Sequence, residues 1–123
     1  MDTFEILSQL CSAAGVSGAE GSAAETAAKL LEEYGEVTLD NALGSVICKV
    51  GSWEDGKPVM LLDAHIDEIG MIVTYITEDG FLKISGCGGL DTRLLLAQQV
   101  TVYGKEKLTG IVTSTPPHLE KDS

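Results

Sequence analysis

Apolar positions at the start of the chain repeat with a helical period. Phe4, Ile6, Leu7, Leu10, Cys11 and Ala14 fall on one stripe, which predicts a helix over residues 3–14. Asp2 and Glu5 have capping-box spacing before it, and Gly15 suits its stop. A turn follows at residues 16–21. An Ala- and Leu-rich stretch then predicts a second helix from Ser22 to Tyr34, with capping-box spacing at Ser22 and Glu25 and Gly35 ending it. Next come two β-rich segments, Glu36 to Leu39 and Ser45 to Val50, joined by Asp40-Asn41-Ala42-Leu43-Gly44 as a hairpin loop. A polar turn with an Asp-Gly pair occupies residues 52–57. Pro58 to Ala64 begins as an uninterrupted apolar run, which predicts a strand buried on both faces, as in a parallel sheet.

The pattern changes after residue 70. Met71 to Ile76 and Phe81 to Ser85 predict a hairpin around Glu78-Asp79-Gly80. Gly86-Cys87-Gly88-Gly89 marks a corner where the backbone turns sharply or approaches another group closely. Leu90 to Leu96 is a short amphipathic connection, and Gln99 to Tyr103 and Leu108 to Ser114 predict two more strands. The order helix, helix, hairpin, buried strand suits the opening of an α/β sandwich, and the short strands after it suit a small barrel. The expected division is therefore an α/β part over residues 1–69 and a β part over residues 70–123.

Composition narrows the function classes. The formal net charge of −11 argues against nucleic acid and anionic membranes as partners, because both need a basic surface. The three cysteines, Cys11, Cys48 and Cys87, contain no Cys-x-x-Cys pair, so a reducing compartment is expected in place of a disulfide scaffold. Cys11 and Cys48 fall at apolar positions and are expected to serve as small core residues. The first residues lack the basic region of a signal peptide, and the longest uncharged run, Ile6 to Ala19, is too short to span a bilayer. A cytoplasmic location is the expectation.

Chemistry concentrates just beyond the apolar run. Asp63, His65 and Asp67 are spaced two apart, so in an extended backbone their side chains share one face. A histidine after a buried strand is commonly structural. An aspartate two residues on could also accept its Nδ1–H and leave Nε2 for a metal ion. A catalytic site of the zinc type needs about three protein ligands. Local partners are limited to Asp63, Asp67 and Glu68, and His118 lies far along the chain. The residues thus hold part of a metal site. There is no Gly-x-Ser-x-Gly elbow and no phosphate loop. Cys87 has no base near it in sequence, and Asp91 with Arg93 reads as an ion pair bracing a turn.

The run Leu62-Asp63-Ala64-His65-Ile66-Asp67-Glu68-Ile69-Gly70 resembles the signature of the glutamyl, deblocking or tetrahedral class of metallo-aminopeptidases, some of which carry the label cellulase or endoglucanase. The resemblance extends through Val16-Ser17-Gly18, Gly88-Gly89-Leu90-Asp91-Thr92-Arg93, Gln98 to Val102 and Pro116-Pro117-His118-Leu119. It implies the N-terminal part of an α/β/α sandwich catalytic domain followed by the start of a PDZ-like β-barrel dimerisation domain. It further implies two divalent ions, zinc or cobalt, a peptide substrate cleaved at its N-terminal residue, and a homo-oligomer, often a dodecamer. By position, His65 matches a metal ligand and Asp67 the carboxylate that orients it. The bridging aspartate, the general-base glutamate and the remaining ligands of such enzymes match nothing in these residues. The expectation is an N-terminal portion that is inactive alone. The alternatives are a non-catalytic interaction module, including half of a split enzyme, and a simple metal-binding protein.

Overall fold

The computed structural model describes residues 2–114. The chain forms two compact units that divide between Gly88 and Gly89. Pro116-Pro117-His118-Leu119 lies outside the described residues.

Helix α1 spans Thr3–Ser12 and begins with the expected cap. The Glu5 amide donates to Asp2 Oδ1 at 2.8 Å, and the Asp2 amide donates to Glu5 Oε2 at 3.2 Å. Two of the amides that a helix start leaves without partners are therefore satisfied reciprocally. Asp2→Ala should cost about 1 kcal/mol, read as a lowered denaturation midpoint, because the Glu5 amide loses its acceptor with the side chain.

Helix α2 spans Gly21–Leu31, one residue ahead of the expected start and three short of the expected end. The predicted Ser22–Glu25 box does not form, because Ser22 already lies inside the helix and Glu20 stands at the cap. The Glu20 carboxylate turns back to accept the Gly18 amide at 2.6 Å, and the Ala23 amide donates to the Ala14 carbonyl at 3.2 Å. The preceding loop thus sets where α2 begins. Among the described residues the buried apolar side chains are Ala23, Ala24 and Ala28, all on α2. Cys11 is exposed, against the expectation of a core position, and Cys48 is half-buried, its Sγ 3.7 Å from the Leu31 carbonyl.

Strands β1 (Glu36–Leu39) and β2 (Val46–Lys49) pair antiparallel, with Glu36 opposite Lys49 and Leu39 opposite Val46. Asp40 builds the loop between them: its two carboxylate oxygens accept the Ala42 and Leu43 amides, each at 3.1 Å. Such local bonds are why aspartate favours turns. Strands β3 (Gly70–Ile76) and β4 (Leu82–Cys87) form the second hairpin, with a register shift between Val73 and Tyr75. Gly88 follows with φ of +81°, and a Cβ there would lie 2.9 Å from Ile69 Cγ2, so the glycine corner both turns and approaches closely.

In the second unit, the Leu90 to Leu96 connection contains one 3-10 turn at Thr92–Leu94. Strands β5 (Gln99–Tyr103) and β6 (Lys107–Ile111) then pair antiparallel. Both later hairpins carry a cross-strand Lys–Tyr pair, Lys83 over Tyr75 at 5.6 Å and Lys107 over Tyr103 at 5.3 Å. At exposed sites each such contact contributes about 0.5–1 kcal/mol.

No strand forms at Pro58 to Ala64. The described strands pair as three separate two-stranded sheets, and none of them borders this segment. Met60, Leu61 and Leu62 are 84–87% exposed. A strand of a parallel sheet is held by neighbours on both edges and by layers on both faces, and an apolar run without them has nothing to pair with. No helix among the described residues is long and apolar enough to cross a membrane.

Candidate functional site

The candidate site is built where two loops meet. The first follows α1 and the second follows the apolar run, some fifty residues later. The Glu68 amide donates to the Gly15 carbonyl at 2.8 Å, and Val16 bridges Glu68 in parallel register. The Gly15 amide donates to Glu68 Oε1 at 3.2 Å. Glu68, a possible metal partner by sequence, is therefore used to clamp Gly15.

This seam brings Ser17 against Asp67. The Ser17 hydroxyl donates to Asp67 Oδ2 at 2.5 Å. That length is typical of a hydroxyl bonded to an ionised carboxylate. The other carboxylate oxygen, Oδ1, lies 3.0 Å from His65 Nδ1, and the Asp67 carbonyl lies 3.2 Å from the same nitrogen. Both oxygens are acceptors, so Nδ1 carries the proton, and in the neutral ring the lone pair sits on Nε2. The His65 side chain is 86% exposed. Asp63 takes no part in these bonds.

The Ser17 hydroxyl, and after it the His65 bond, hold the Asp67 carboxyl below its ordinary value of 3.8. Because the folded-state value is depressed, the stabilising contribution is present above the unfolded value and is lost as pH falls through the folded one. A carbon-detected NMR titration should place the Asp67 midpoint below 3.8. The His65 ring signals should shift with the same midpoint as the carboxylate is neutralised.

Elsewhere, Asp91 accepts from Arg93 twice through side-chain atoms, at 2.9 Å from Nε and 2.7 Å from Nη2, and once from the Arg93 amide at 3.1 Å. This bidentate pair braces the 3-10 turn, as the sequence suggested, and the guanidinium lowers the Asp91 carboxyl. Cys87 stands opposite Gly70 in the β3–β4 hairpin, half-buried, with no hydrogen bond to a base among the described residues.

The donor set can be tested against a divalent metal. A neutral histidine with Nδ1 engaged by a carboxylate and Nε2 facing solvent is the arrangement a metal-ligating histidine adopts. No group of three or more His, Cys, Asp and Glu side chains among the described residues could hold an ion. The residues fit one ligand and its orienter, and stop there. Ser17 entered the sequence reading only within the Val16-Ser17-Gly18 resemblance. Nothing local ties a serine to an aspartate fifty residues away.

FrvX of Escherichia coli (strain K12) is 35% identical over 118 residues, which is 94% of this chain and 32% of that protein. A TET aminopeptidase from the marine sediment archaeon Thaumarchaeota archaeon SCGC AB-539-E09 superposes with a TM-score of 0.82 at 34% identity, over 96% of this chain and 33% of the other. PhTET1-12s, a dodecamer in its crystal, superposes with a TM-score of 0.79 at 34% identity, over 98% of this chain and 36% of the other. The chain thus spans about a third of the length of the curated relatives it matches. The family model for M42 glutamyl aminopeptidases matches residues 44–123, more than half of the sequence, and the chain belongs to that family.

Proposed function

We infer that the chain contributes the N-terminal part of a metal-dependent aminopeptidase that removes N-terminal residues from peptides. The observation that carries this reading is the His65–Asp67 pair, Nδ1 to Oδ1 at 3.0 Å, in a member of the M42 family. In this reading His65 is a metal ligand through Nε2, and Asp67 holds its ring and tautomer. Two divalent ions, zinc or cobalt, would supply the Lewis acidity that activates water for amide hydrolysis. The remaining ligands and the general base are contributed by groups outside the described residues. Residues 1–69 are assigned to the α/β catalytic part, and residues 70–123 to the start of a PDZ-like barrel through which copies associate. Three unpaired cysteines support a cytoplasmic setting.

The test is a peptidase assay on the purified, zinc- or cobalt-loaded chain beside a zinc titration. The expected result is no turnover of aminoacyl amides, and a zinc affinity that disappears in His65→Ala would instead favour a simple metal-binding protein. Turnover comparable to a complete aminopeptidase would overturn the inactivity of the isolated chain, and zinc binding indifferent to His65→Ala would remove its role as ligand.

A second reading, an interaction module, is favoured by the exposure of Val59, Met60, Leu61 and Leu62. Burying each such side chain would contribute roughly 1.5–3 kcal/mol, so association has a ready driving force. Light scattering should find a species larger than one chain; a lone monomer would count against this reading.

A further inference from the structure

We propose that Ser17 is a positioning residue for the His65 ring, acting through Asp67. The inference rests on the reading of His65 as a ligand, and it adds a residue and a mechanism to it. A carboxylate has two oxygens and rotates about its bond to Cβ. Bonded to His65 alone, the Asp67 carboxylate could serve the ring with either oxygen or swing away into solvent, since the group is exposed. The Ser17 hydroxyl occupies Oδ2 at 2.5 Å and so leaves Oδ1 for His65 Nδ1 at 3.0 Å. The chain of bonds runs Ser17 Oγ–H to Oδ2, then Oδ1 to H–Nδ1, and its end point is the Nε2 lone pair.

Ser17 is itself placed by backbone geometry. The Gly15–Glu68 amide bond of 2.8 Å and the Val16–Glu68 bridge hold the two loops against each other, and within that seam the Ser17 hydroxyl reaches the Asp67 carboxylate. The Gly15 amide bonded to Glu68 Oε1 adds a second tie to the same seam. A serine in this position offers a donor and no charge. It can hold a carboxylate still without competing, as a lysine or arginine would, for its negative charge.

The test uses the whole metal-free chain with histidine nitrogens labelled, compared as wild type, Ser17→Ala, Ser17→Thr and Asp67→Asn. Long-range proton–nitrogen spectra report which ring nitrogen carries the proton. Ser17→Ala should shift the His65 population toward the Nε2–H form, and Ser17→Thr, which keeps the hydroxyl, should restore it. A merely structural role would move backbone amide signals or the denaturation midpoint and leave the tautomer alone. Unchanged His65 nitrogen shifts in Ser17→Ala overturn the proposal, whatever Asp67→Asn does. Because the tautomer is read without metal, that outcome is distinct from failure of His65 as a ligand, which His65→Ala tests in the zinc titration.

Discussion

Replacing Gly35 with alanine is expected to destabilise the first unit by about 3 kcal/mol, the upper part of the usual range for overpacking. Gly35 joins α2 to β1. A Cβ built there would overlap the Lys49 carbonyl oxygen and lie 2.8 Å from the carbonyl carbon and 3.2 Å from Cys48 Sγ. Two of those three atoms are backbone, so no rotamer change relieves the overlap. Lys49 is paired with Glu36, the residue after Gly35, and moving it away opens the first pair of the β1–β2 hairpin. Against a typical total of about 5–15 kcal/mol, the loss is large. Denaturant titration of Gly35→Ala beside Gly21→Ala gives the comparison. Gly21 lies in the first turn of α2 with nothing within 4 Å of an added Cβ, so alanine there should be neutral or stabilise by up to about 1 kcal/mol. Equal midpoints for the two variants would contradict the packing argument.

Gly70→Ala should act on the candidate site. Its Cβ would overlap Val16 Cγ2 and come within 2.9 Å of Cγ1 and 3.2 Å of Cβ. Valine is branched at Cβ and stiff about χ1, so turning the side chain exchanges one overlap for another. Val16 must retreat, and with it the Val16–Glu68 bridge and the seam within which Ser17 reaches Asp67. The expected cost is about 2 kcal/mol. The expected signature is faster hydrogen exchange at the Glu68 amide, together with a shift in the His65 tautomer. Val16→Ala in the same chain removes both Cγ atoms and should recover most of the loss, a coupling that a double-mutant cycle measures. Additive effects would show that the two residues do not share the seam.

What the sequence determined about this protein is local. Asp2 and Glu5 lie three apart and cap α1, because a helix start and its capping groups lie within one turn. Asp40 carries the β1–β2 loop through its own neighbours, and the three hairpins each join segments close in the chain. His65 and Asp67 were legible as a pair because two residues of backbone suffice to bring them together. Tertiary structure decided the rest. Ser22 and Glu25 have the spacing of a cap and form none, since the loop held by Glu20 and Ala23 starts α2 earlier. Pro58 to Ala64 has the composition of a central strand, yet strand pairing depends on neighbours that composition does not supply. Ser17 meets Asp67 only because the Gly15–Glu68 seam closes a loop of about fifty residues, and no periodicity along the chain encodes which distant loops will share a hydrogen bond.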